Sequence, residues 1–303
     1  MVKFGSVPGS RRASFVLFLA FAAAVAWAQQ EPPAAPGAGA AAAQNATAKP
    51  DESSSDSKAN DELLAKAAKL YYSTKAAGLD GFDCEVHPDW RKLFSSATQG
   101  AAIADDDVRL VTLKPVKITM HARLGGASTV DWVQTSNPDK PLDADATSLL
   151  EQMHRATEQT VQGFLQFWTP FVDGSVVPAS SGGMKVTRSA TEYTIHVEQG
   201  GAEVTEIFSN ELVLQQFNVV TNGVSIKFAP SYQSTDKGLL VNRFDAHIEP
   251  VGQGSAPAQE MHVQVAYATV DGLPIPSNLN MDVVGTGVFN LSMDGCRTLR
   301  AGK

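Results

Sequence analysis

The chain has 303 residues, 43% of them hydrophobic, which is enough for a sizeable core, and 24 Lys plus Arg stand against 32 Asp plus Glu for a formal net charge of −8. Without residues 1–28, which hold Lys3, Arg11 and Arg12 and no acid, the excess grows to −11. Phosphate backbones are held mainly by Lys and Arg, so this balance, with no basic stripe to offset it, argues against nucleic acid as a partner.

Residues 1–28 read as an export signal. Lys3, Arg11 and Arg12 form a positive head, residues 14–27 are uncharged with Phe15, Val16, Leu17, Phe18, Leu19 and Phe21 at their centre, and Ala26-Trp27-Ala28 places the cut after Ala28. An uncleaved anchor is the competing reading, but the apolar run falls short of the roughly 20 residues that cross a bilayer. The expected compartment is therefore the periplasm or the exterior. Residues 29–60 contain ten Ala and four Pro but no aromatic residue, Leu, Ile or Val. With nothing to bury, such a segment cannot offset the entropy of ordering and reads as a disordered spacer. Residues 61–303 remain as a single domain.

That domain opens with a helix that Asn60 or Asp61 can cap, with Leu63, Leu64, Ala67, Leu70 and Tyr71 as its apolar face and Gly78 at its end. Phe82, Cys84 and Val86 then alternate with polar residues as a strand, and Val116, Ile118, Met120, Ala122 and Leu124 form another. Gly125-Gly126 turns the chain into a partner strand over 128–134. A second helix spans about 144–168, its stripe including Leu149, Met153, Val161, Phe164, Leu165 and Trp168, and Pro170 stops it. From Lys185 onward nine short strands follow, over 185–188, 192–198, 203–209, 213–221, 224–230, 238–248, 261–270, 275–284 and 287–293. Asn222-Gly223 and Asp271-Gly272 are the clearest hairpin turns. One-sided alternation predicts an antiparallel sheet with one face on a core and one in water. The fold class is mainly β with covering helices, a large curved sheet whose hollow side the two helices cover.

Cys84 lies in the first strand and Cys296 just past the last. In an oxidising compartment two lone cysteines are expected to pair, with two unbonded buried thiols as the alternative. Chemistry finds little support. His121, His196, His247 and His262 sit out of phase with the apolar residues of their strands, so they face water. No His-x-His or His-Glu-x-x-His pattern is present, and neither Asp105-Asp106-Asp107 nor the Asp139, Asp143, Asp145 group has Ca²⁺-loop spacing. No Gly-x-Ser-x-Gly elbow, Rossmann frame or phosphate loop occurs. The expectation is a non-enzymatic protein without metal or cofactor, and an enzyme of unknown class is the lesser alternative.

Three stretches resemble the LolA/LppX-like superfamily of periplasmic lipoprotein carriers. They are Ala68-Lys69-Leu70-Tyr71-Tyr72 in the opening helix, Asn210-Glu211-Leu212-Val213-Leu214 in the meander, and Val265-Ala266-Tyr267-Ala268-Thr269-Val270-Asp271-Gly272-Leu273-Pro274-Ile275-Pro276 near the close. The resemblance covers about residues 61–300. It implies an unclosed β-barrel whose apolar hollow shields acyl chains or other greasy ligands, with a lipid, a lipoprotein or a hydrophobic small molecule as partner and transient contact with a membrane. Candidate cavity residues are Tyr71, Phe164, Leu165, Trp168, Phe217, Phe228, Phe244 and Tyr267, each open to the competing reading of ordinary core. Two functions follow: a carrier or sensor of a hydrophobic ligand, or a solid-cored scaffold or interaction module without one.

Overall fold

The computed structural model describes residues 52–98, 100–124, 127–134, 142–173, 176–178, 181, 183–199, 201–251 and 257–300. The expected export signal, most of the spacer and the Gly125-Gly126 turn lie outside the described residues.

Twelve strands make one antiparallel sheet. They are β1 (Leu79–Pro88), β2 (Val116–Arg123), β3 (Thr129–Gln134), β4 (Lys185–Arg188), β5 (Glu192–Gln199), β6 (Ala202–Ser209), β7 (Leu214–Thr221), β8 (Val224–Thr235), β9 (Gly238–Pro250), β10 (Gln259–Val270), β11 (Leu273–Val283) and β12 (Gly287–Arg300). Strands β4 to β12 run as successive neighbours, and β1 docks beside β12 to add β2 and β3 at the far side. Both β3 and β4 are edges, so the curved sheet does not close into a barrel. Twist accumulates from strand to strand, and a sheet of this breadth has to curl.

Directly opposed residues of an antiparallel pair point to the same face. Cross-strand pairing therefore defines a continuous row: Val186, Ile195, Glu206, Phe217, Phe228, Ala246, Met261 and Val283. This is the inner face, apolar except at Glu206. Its centre is closed by Val263, Val265, Ile275, Leu279, Met281 and Leu291, all buried.

Among the described residues four helices accompany the sheet: α1 (Glu52–Ala68), α2 (Trp90–Ala97), α3 (Val108–Leu113) and α4 (Ala144–Val172). Asp143 caps α4 by accepting from the Ala146 N–H at 2.7 Å. The face of α4 carrying Val161, Phe164, Leu165, Trp168, Phe171 and Val172 is buried on the inner side of the sheet, with Trp168 edge-on to Phe82 and Phe171 stacked on Phe244. Its other end joins Leu93, Phe94 and Leu113 of α2 and α3 in a second, smaller cluster through Met153.

Several expectations are corrected. The first helix begins at Glu52 rather than near Asn60, so residues 52–60 are helical. Asn60 and Asp61 do not cap it. Asn60 accepts from Arg188, and Asp61 accepts from the Ser181 N–H and hydroxyl, which ties α1 to the β4 side. The helix ends at Ala68, and Leu70 to Tyr72 instead lie along the start of β9, where Tyr72 N–H donates to Leu239 O and Leu239 N–H to Leu70 O. Pro170 does not stop α4 but sits in its last turn, where a missing N–H removes one bond to the Gln166 carbonyl and the helix runs two residues further. Cys296 lies within β12, which continues to Arg300.

Cys84 and Cys296 form a disulfide between the adjacent strands β1 and β12, 212 positions apart in sequence. The register shifts between Asp83 and Glu85, so that Gly295 and Cys296 face Cys84, and Gly295 takes φ +56° at this bulge. Gly238, at φ +121°, opens β9 beneath the Leu70–Tyr71 backbone, where a Cβ would come within 2.8 Å of Leu70 O. Only glycine lets the two chains approach so closely there.

Candidate functional site

Between the C-terminal end of α4 and strands β6 to β8 the packing opens into a pocket of about 280 Å³. Phe167, Phe171 and Pro170 form its helical wall, Leu214, Phe217 and Phe228 its floor, and Gln166, Val176 and Glu206 complete the lining. The aromatic rings touch one another: Phe167 lies 5.4 Å and Phe217 6.2 Å from Phe228, centroid to centroid. Gln166 and Pro170 are exposed at the mouth, while Glu206 and Phe228 are buried. Larger hollows occur near hairpin ends, one of about 470 Å³ around Glu198, Gly201 and Asn222 and one of about 410 Å³ around Tyr72, Asp236, Lys237 and Thr269. Their linings are more polar and, among the described residues, hold no cluster of apolar aromatic rings.

The eight predicted cavity residues divide. Phe217 and Phe228 line the pocket. Phe164, Trp168 and Phe244 have no exposed surface and, with Leu165, fill the core between α4 and the sheet. Trp168 donates from Nε1 to the Tyr267 hydroxyl at 2.8 Å, and Tyr267 in turn donates to Val241 O. Tyr267 is thereby a strut under the helix. Tyr71 is a second strut. Its hydroxyl donates to Leu212 O at 3.0 Å and accepts from the Leu214 N–H at 2.6 Å, and burial pushes its pKa up to about 12.

Sequence reading passed over Glu206. It occupies the inner row between Ile195 and Phe217, is only 7% exposed, and its Oε2 is buried without a hydrogen-bond partner. Burial pushes its pKa up to about 8. The nearby Tyr232 hydroxyl is likewise buried and unpartnered, and burial raises its pKa. The available signal was phase: Val204, Glu206 and Phe208 alternate along one face of β6. Ile207 on the other face obscured it.

The four strand histidines lie on the outer face as their phase predicts, and each has acids beside it. His121 sits between Asp83 at 2.9 Å and Asp131 at 3.1 Å, and the bond to Asp83 leads in raising its pKa. His262 meets Asp245 at 2.6 Å, and His247 lies near Glu249 and Glu260. His196 pairs with Thr205 through Nδ1 and lies 3.8 Å from both Glu198 and Glu203 through Nε2. One group among the described residues, Glu85, His87 and Asp294, brings ligating atoms within 4.8 Å of one another. His87 and Asp294 are exposed and bond each other at 3.1 Å, and Lys117 already engages Glu85 at 2.6 Å.

Comparison of the chain with protein-family models, with curated proteins and with solved structures gives no match. The class defined by the fold is thus a β-rich protein with an unclosed curved sheet and covering helices, an architecture compatible with cradling a ligand.

Proposed function

We propose that the chain is an exported, non-enzymatic carrier or sensor of a hydrophobic ligand, akin to the LolA/LppX-like carriers and working in the periplasm. The pocket between α4 and the inner face carries this reading. It is apolar apart from Gln166 and Glu206, which suits holding a ligand rather than transforming it. Its volume of about 280 Å³ falls just below the about 300–1,000 Å³ usual for small-molecule sites. An acyl end or a compact greasy molecule fits better than a whole lipid. Binding would exchange water-exposed apolar surface for the Phe167, Phe171, Phe217 and Phe228 side chains, with the end of α4 as the part that yields. The basic head and apolar run of residues 1–28, and the disulfide, support export.

The scaffold reading draws on one observation: Phe164, Trp168 and Phe244 pack the centre of the hollow completely. Titration with an apolar fluorophore that brightens on burial separates the two. A carrier gives saturable one-to-one enhancement that Val176→Trp, which fills the pocket, removes. Absence of saturable binding, or binding indifferent to that substitution, favours the scaffold.

A further inference from the structure

The aromatic lining, the buried carboxyl and the end of α4 have a combined meaning that an apolar pocket alone lacks. We infer that the pocket selects an amphiphile whose polar end is an organic cation, an alkylammonium, seated against Phe217, Phe228 and Phe167 with Glu206 as its counter-charge. This rests on the reading of the pocket as a hydrophobic-ligand site and adds the chemistry of the head group.

Three independent features favour positive charge there. Phenylalanine faces carry the negative side of the ring quadrupole, and aromatic walls around a quaternary ammonium are an established recognition mode. Glu206 offers an acceptor that no described residue uses, on the same inner row as Phe217 and Phe228. The pocket lies against the last turn of α4, the partially negative end of a helix, where Pro170 cannot donate to the Gln166 carbonyl. Among the described residues the lining holds no Lys, Arg or His, so neither an anionic head nor a phosphate finds a counter-charge.

An unpaired carboxylate in this position is expensive, so burial holds the acid protonated near neutrality. A bound cation gives the ionised form its missing partner, and the two events are linked: cation binding releases a proton and strengthens as pH rises. The groups facing Glu206 do not confuse this. Ile195 on β5, Leu214 and Phe217 on β7, Phe228 on β8 and the wall of α4 carry no titratable side chain. Tyr71 and Tyr232 are both held protonated well above pH 9.

The test is isothermal titration calorimetry of the exported protein with three probes of equal chain length, hexyltrimethylammonium, 1-hexanol and hexanoate, at pH 6 and pH 9. The quaternary head carries its charge at both values, so any pH dependence belongs to the protein. The inference predicts that the cation binds at least about tenfold more tightly than hexanol at pH 9 and loses most of that margin at pH 6. In Glu206→Gln, checked for folding by circular dichroism, the margin disappears while hexanol binding persists. The pH comparison in the unaltered chain stands even if that variant fails to fold. A cation that binds no better than hexanol, a preference for hexanoate, or a margin that survives Glu206→Gln overturns the head-group inference and leaves the apolar site standing. Failure of all three probes overturns both.

Discussion

Glu206 is the side chain whose environment departs most from what its chemistry prefers. Its carboxyl is protonated in both folded and unfolded chains below pH about 4.5. Between there and about 8 the unfolded chain gives up its proton while the fold retains it, so this group lowers stability as pH rises, and the loss levels off above about 8. Urea unfolding at pH 5 and pH 8.5 should show the natural chain losing about 2–5 kcal/mol relative to Glu206→Gln across that interval. Parallel behaviour of the two would mean that Glu206 finds a partner or water. Trp168 makes the opposite case, fully buried with its indole N–H satisfied by Tyr267. Trp168→Ala should cost about 3–5 kcal/mol by denaturant unfolding, and the half-buried Phe217→Ala clearly less. Large apolar residues were legible in the sequence as inner-facing. Which of them fill and which line a pocket was not, because that depends on where α4 stops short of the sheet and no local pattern encodes it.

At the scale of elements, period-two alternation together with the turn residues between strands located the twelve strands of the sheet, most of which have one wet and one dry face. Their lengths were underestimated where alternation meets a bulge, as at Ser231/Tyr232 in β8 and at Gly295 in β12. The short helices α2 and α3 escaped notice, since eight and six residues scarcely complete a periodic stripe. Helix α1 was begun too late, because residues 52–60 hold no Leu, Ile, Val or aromatic residue that a hydrophobic pattern can register. Two joints between elements carry expectations of their own. Gly238→Ala sets a methyl group against the backbone of Leu70 and Tyr71 and should lower stability by about 1–3 kcal/mol in thermal or urea unfolding, whereas alanine at the open Gly285 meets no neighbouring atom and adds only its backbone strain. Replacing Cys84 and Cys296 together by serine removes a cross-link worth up to about 5 kcal/mol on the chain-entropy model. The same midpoint in both proteins would show that the β1–β12 ladder holds without it.

For the molecule as a whole, the open curved sheet with helices against its inner face was foreseeable from strand number and one-sided burial. The pairing of β1 with β12 was legible through one pair of residues, Cys84 and Cys296, whose expected bond requires the two ends of the domain to meet. What the sequence left open is the degree of filling, and the structure places it between the extremes: a solid centre under Trp168 and Phe244 and an unfilled margin beside Phe228. A margin of that size and character is the basis for reading the protein as a carrier of something greasy. The most direct test is native mass spectrometry of the protein exported by its own or a related host and purified without detergent, followed by solvent extraction. The account predicts a discrete adduct, one per chain, that extracts as a hydrophobic molecule and is absent from Val176→Trp. A bare polypeptide mass after gentle handling, in the natural chain as in the filled variant, would contradict it.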